Sequence, residues 1–138
     1  MKNYQTSNIR NIVLVGAPGA GKTTLAEAMA FEGKAVDRRG SIENDSTLSD
    51  SSELEHYYKR SIYPSLLYAE FNNHKINFID APGSDDYCGG VFSAYKVVDT
   101  AVMVFNGSAG FEPGGEVQDR YAAIAKKPVI GVINQLDK

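Results

Sequence analysis

The sequence predicts an α/β fold: a mostly parallel sheet covered on both faces by helices, with one antiparallel hairpin strand. Three observations predict it. Strand-like apolar runs alternate with helical stretches along the chain. The first run, Ile12-Val13-Leu14-Val15, is apolar at consecutive positions, as a strand buried on both faces requires. Two strand-like stretches flank Asn72-Asn73-His74, a turn-prone tip that sends the chain back antiparallel.

The elements follow in order. Ile9 to Gly16 reads as a strand ended by glycine, and Lys22 to Glu32 as a helix. In that helix Leu25 and Met29 share a face, alanines fill the neighbouring positions, and Gly33 closes the end. Residues 34–62 are rich in Asp, Ser, Asn, Glu and Arg, and a loop that long in a compact domain is functional or disordered. Within it, Ser52 and Glu55 have the spacing of a capping box, predicting a short helix from about Ser52 to Lys59. Ser65 to Phe71 and Lys75 to Ile79 form the hairpin, and Asp80 to Gly90 reads as a Gly/Asp-rich loop. Asp99 to Phe105 is a buried strand, Gly115 to Lys126 a helix and Pro128 to Ile133 a final strand. Neither an internal repeat nor a low-complexity tract interrupts the pattern.

Bulk properties narrow the function classes. The 138 residues are one domain's worth, with 43% hydrophobic and 22% charged residues, as in ordinary globular chains. A net charge of −3 gives no drive toward nucleic acid or an anionic membrane, so sequence-specific nucleic-acid binding is not expected. The single cysteine, Cys88, rules out an internal disulfide and fits a reducing, cytoplasmic setting. Met1 to Gln5 lack the apolar run of a signal peptide, and no stretch is long enough to span a bilayer.

Gly16-Ala17-Pro18-Gly19-Ala20-Gly21-Lys22-Thr23 satisfies G-x-x-x-x-G-K-[ST] at every fixed position. Glycines let the backbone curl so that successive N–H groups face inward as an anion nest, and the following helix adds its positive end. Lys22 brings a cation to β- and γ-phosphates, and the Thr23 hydroxyl is a hard oxygen ligand for Mg²⁺. The match lies between a buried strand and a helix, as this mechanism requires. Pro18 inside the loop is more usual in nucleoside monophosphate kinases, so the base must be decided elsewhere.

Two further elements decide it. Asp80-Ala81-Pro82-Gly83 follows a strand; the aspartate can reach Mg²⁺ through a water, and the Gly83 N–H can sense a γ-phosphate. Asn134-Gln135-Leu136-Asp137 ends the last strand. A carboxylate at Asp137 accepts both N1–H and the exocyclic amine of guanine, a donor pair that adenine lacks. Each of these two alone is a weak signal; with the phosphate loop, three elements in order on successive strand ends are a strong one.

With these residues in place the chain resembles the N-terminal part of the GTP-binding domain of translational GTPases of the elongation factor G type. The likeness includes Ile9-Arg10-Asn11-Ile12, Gly21-Lys22-Thr23-Thr24-Leu25, His74 to Gly83 and Gly110-Phe111-Glu112-Pro113. It implies a three-layer P-loop NTPase fold lacking its last strand and helix. It also implies a truncated domain over 1–138, with switch I at about 34–63 and switch II at about 80–90. The resemblance carries Mg²⁺ with GTP or GDP as cofactor and ligand, Thr24 as a further nucleotide contact, and the ribosome as partner through a longer protein. Three departures bear on catalysis. Ser84 stands where the family has a water-positioning histidine, and Arg60-Ser61-Ile62-Tyr63 where it has Arg-Gly-Ile-[Thr/Ser]. Gln135 replaces the lysine of the guanine motif. A tyrosine phenol sits too far out to replace the threonine hydroxyl, so this Mg²⁺ contact is expected to be lost.

Lys22 is therefore the expected catalytic residue, with Ser84 a poor stand-in for histidine. Three readings stay open: a Mg²⁺-dependent GTPase, a guanine-nucleotide-binding module without effective hydrolysis, and a P-loop ATP-dependent kinase suggested by Pro18 alone. Among the remaining residues, His74 reads as a solvated turn residue and Cys88 as an ordinary loop thiol. Tyr57, Tyr58, Tyr63 and Tyr87 read as a packed cluster or as surface filling. The carboxylates of residues 43–55 read as a solvated face and not as a metal site.

Overall fold

A computed structural model describes residues 3–137; Met1, Lys2 and Lys138 lie outside the described residues. Five strands, β1 (Ile9–Val15), β2 (Ser65–Phe71), β3 (His74–Asp80), β4 (Thr100–Asn106) and β5 (Val129–Asn134), form one sheet in the order β2-β3-β1-β4-β5. β1 runs parallel to β3 and β4, and β4 to β5, while β2 and β3 pair antiparallel from Ser65↔Asp80 to Phe71↔His74. The predicted fold class is the observed one.

Alternation along β1 explains the layers. Leu14 points to the face covered by α1 (Lys22–Glu32), where it meets Ala26, Ala30, Phe78 and Val102. Val13 and Val15 point to the other face, against Val91 and Tyr95 of α3 (Cys88–Val97) and Ala122 of α4 (Pro113–Ala125). A strand segment with helices on both sides has no polar face, and that is why Ile12 to Val15 is apolar at consecutive positions. In α1 the fully buried apolar residues are Ala26 and Ala30, while Leu25 and Met29 are only partly buried. Small side chains bring the helix close to the sheet. A Cβ at Gly33 would lie 2.4 Å from the Ala69 Cβ, so close packing against β2, and not a left-handed cap, requires glycine there.

The helix α3 corrects the expectation of a loop over 80–90 and fills 91–97, for which the sequence pattern assigns no element. The chain leaves β3 at Asp80, makes a 3₁₀ turn over Asp85–Tyr87 and becomes helical at Cys88. Cys88 is thus the first residue of a helix and not a loop thiol. The short α2 (Glu53–Tyr58) forms as predicted, with the Ser52–Glu55 capping box complete in both directions. His74 opens β3 and is half-buried, with Nδ1 2.9 Å from the Asn72 carbonyl. Among the described residues no helix is long and apolar enough to cross a membrane. The carboxyl ends of β1, β3 and β5 carry Gly16, Asp80 and Asn134 to one end of the sheet, where open α/β sheets place ligands.

Candidate functional site

The loop from β1 to α1 is curled by glycine. Gly16, Gly19 and Gly21 have φ of +144°, +78° and +91°. At Gly16 a Cβ would lie 2.3 Å from the Val104 carbonyl oxygen, so both conformation and space demand glycine. Lys22 is buried, and its Nζ donates to the carbonyls of Gly16 at 3.0 Å and Ala17 at 2.9 Å. Burial lowers its pKa, against the pull of the Asp80, Asp50 and Glu112 carboxylates. An ammonium has three protons, and two are placed in this way.

Beside the lysine lies an oxygen-rich corner. Asp80 is 1% exposed, and among the described residues neither of its carboxylate oxygens has a hydrogen-bond partner. Burial pushes its pKa up to about 6; the Thr23 and Ser49 hydroxyls and Lys22 pull it down, though neither hydroxyl forms an aligned hydrogen bond to it. Thr23 Oγ1 lies 3.1 Å from Ser61 Oγ. Asp50 and Ser49 are buried too, with Asp50 Oδ1 and Ser49 Oγ likewise unpartnered. The segment read as a solvated acidic face therefore turns Asp50 inward, and Glu55 with it. Unpaired buried oxygens are costly. Three hydroxyls, of Thr23, Ser49 and Ser61, and two carboxylates form a hard-oxygen donor set that suits Mg²⁺. Three or more His, Cys, Asp or Glu side chains do not converge on a metal position among the described residues, so the fit is by mixed donors.

Two buried glutamates fasten the long loop. Glu27 of α1 accepts the backbone N–H of Gly40 at 3.1 Å and that of Leu48. Glu55 Oε1 accepts from the N–H of Ile62 at 3.0 Å and of Tyr63 at 3.1 Å, while Oε2 accepts from the N–H and hydroxyl of Ser52. The sequence predicts for Glu55 a capping role and a place on a solvated face; the structure keeps the cap and buries the carboxylate. Tyr63 is 53% exposed, and Tyr57 and Tyr58 stack edge to face on the surface with ring centroids 4.9 Å apart. Tyr57, Tyr58 and Tyr63 fill surface, Tyr87 is half-buried, and none of the four lines the cleft around Lys22 and Thr23.

After Asp80, Gly83 packs against the phosphate loop. A Cβ there would lie 2.5 Å from Lys22 Nζ and 2.9 Å from the Pro18 nitrogen. The Ser84 hydroxyl donates to Asp86 Oδ2 at 3.1 Å, inside its own loop.

At the end of β5, Asn134 Nδ2 donates to the Ala20 carbonyl at 3.3 Å, and Asn134 Oδ1 accepts the Gln135 N–H at 2.9 Å. Gln135 has φ +56° and its Nε2 donates to the Gly19 carbonyl at 2.7 Å. The glutamine thus ties the segment after β5 to the glycine-curled loop across 116 residues of sequence. A cleft of about 330 Å³ gathers Lys22, Thr23, Thr24, Asp50, Ser61, Gly83, Ser84 and Gln135. Asp137 stands outside its lining, exposed beyond β5.

The chain matches the family model of the elongation factor Tu GTP-binding domain over residues 7–138. It is 33% identical over 137 residues to the elongation factor G proteins of Dehalococcoides mccartyi strains BAV1 and CBDB1. That alignment covers 99% of this chain and 20% of theirs, so the chain spans about a fifth of the length of these curated relatives. A crystal structure of a Thermus thermophilus protein superposes with a TM-score of 0.92 at 30% identity, over 95% of this chain and 20% of that one. The translation elongation factor SelB of Methanococcus maripaludis, solved with the GTP analogue GppNHp, shares the fold: TM-score 0.69 at 20% identity, over 99% of this chain and 24% of that one.

Proposed function

The chain belongs to the elongation factor Tu GTP-binding domain family, and on that premise we propose that it binds GTP and GDP with Mg²⁺ as the nucleotide-holding part of a translation factor. One observation carries the reading: the two unpartnered, buried carboxylate oxygens of Asp80 beside Thr23, at the mouth of the glycine-curled loop. Thr23 and Asp80 would hold the cation, which when bound neutralises charge on the β- and γ-phosphates. Backbone N–H groups of residues 19–23 cradle those phosphates, and Lys22 places its ammonium against them. Gly83, packed on Lys22 and Pro18, is positioned for its N–H to meet a γ-phosphate. Asn134 and Gln135 hold the loop to the guanine motif, and Asp137 reads the base. Family membership favours this guanine reading over an ATP-dependent kinase.

Hydrolysis needs an oriented water as well as charge stabilisation. The Ser84 hydroxyl is turned to Asp86, which favours a slow intrinsic GTPase whose nucleotide is held longer than it is cleaved. In a longer protein the ribosome is the partner, in the cytoplasm. Calorimetric titration with GTP, GDP and ATP, each with Mg²⁺ and with EDTA, tests the reading. Guanine nucleotides binding tightly only with Mg²⁺ is the expected result; a preference for ATP would overturn it. Phosphate release from the full-length protein, with and without ribosomes, measures the hydrolysis.

A further inference from the structure

We propose that the Ser61 hydroxyl is a direct ligand of the divalent cation, filling the position that Tyr63 cannot. The inference rests on the reading above, that a guanine nucleotide enters the cleft with Mg²⁺. Ser61 Oγ lies 3.1 Å from Thr23 Oγ1. Hydroxyl–hydroxyl hydrogen bonds centre on about 2.7–2.8 Å, so this pair is loose for that purpose. Two ligands at right angles on Mg²⁺, each about 2.1 Å from the ion, stand about 3.0 Å apart. The pair is spaced like neighbouring corners of that octahedron.

The surroundings agree. Both Asp80 oxygens, Asp50 Oδ1 and Ser49 Oγ are buried at this corner without hydrogen-bond partners among the described residues. The backbone explains why Ser61 faces inward. Glu55 takes the N–H groups of both Ile62 and Tyr63, which fixes the two peptide planes after Ser61. The Tyr63 phenol is carried to the surface, while Ser61 stays in the cleft lining.

The test is the Mg²⁺ concentration that half-maximally retains fluorescent GTP on the full chain, with Mn²⁺ paramagnetic resonance as a second readout of the ion. Ser61→Ala should raise that concentration about tenfold and alter the Mn²⁺ spectrum, with retention in EDTA unchanged. Ser61→Thr, which keeps the hydroxyl, and Tyr63→Phe should match the parent. An unshifted Mg²⁺ requirement in Ser61→Ala, or a shift in Tyr63→Phe, overturns the assignment while leaving nucleotide binding intact. If the parent chain retains GTP equally with and without Mg²⁺, the cation reading beneath it fails, and this proposal with it.

Discussion

The carboxylate of Glu55 accepts the backbone N–H of Tyr63 at 3.1 Å, and so fixes the main chain of a residue whose ring faces solvent. The same side chain holds Ser52 and Ile62. One buried glutamate therefore joins the start of α2 to the segment that enters β2.

Glu55→Gln keeps the shape and removes the charge. Hydrogen bonds to a charged group contribute about 1.5–3 kcal/mol, so a loss of that order is expected in thermal unfolding. Hydrogen exchange should accelerate at Ile62 and Tyr63 and stay unchanged in β1. Burial raises the Glu55 pKa, but the N–H groups of Ile62 and Tyr63 and the Ser52 donors lower it more, leaving it below the ordinary 4.5. A lowered native pKa means the unfolded chain takes up the proton first as pH falls. The contribution of Glu55 is complete above that ordinary value and is lost as pH falls through the native one. The stability gap between parent and Glu55→Gln should therefore close in acid.

Two glycines of one loop should answer differently to alanine. Gly19→Ala meets nothing within 4 Å and pays only left-handed strain, about 1 kcal/mol. Gly16→Ala drives a Cβ into the Val104 carbonyl and should cost about 3 kcal/mol or more, since backbone cannot yield as a side chain can. Parallel melting curves check the ranking; equal shifts would contradict it.

Much of this was legible in the sequence, for identifiable reasons. Residues 16–23, Asp80 and Asn134 lie on strand ends, where a short local pattern fixes position. The helix α3 was missed because Gly89-Gly90 near its start resembles loop, yet Val91, Ala94, Tyr95 and Val98 follow the i, i+3, i+4, i+7 spacing of a buried face. The inward turn of Asp50, Glu55 and Ser61 was not legible. It depends on backbone N–H groups finding carboxylates, and composition shows only that the segment is polar.

Asp80→Asn removes a buried charge whose oxygens lack hydrogen-bond partners, and Lys22 loses a charged neighbour by the same change. Without nucleotide the melting temperature should be at or above the parent's. Added Mg²⁺-GTP should stabilise the parent and fail to stabilise the variant. A variant that gains as much from Mg²⁺-GTP would remove Asp80 from the cation site.

Gln135→Ala should speed GDP release about three- to tenfold, because the 2.7 Å bond to the Gly19 carbonyl disappears. Gln135→Lys offers a charged donor of similar reach and should restore or slow the parental rate. Stopped-flow release of fluorescent GDP reads both.

Lys22 bonded to the Gly16 and Ala17 carbonyls makes the phosphate loop its own template. On the proposed function, an arriving phosphate would take the ammonium over from these two carbonyls, so nucleotide exchange would be a swap of partners around one lysine, without the loop having to refold each time.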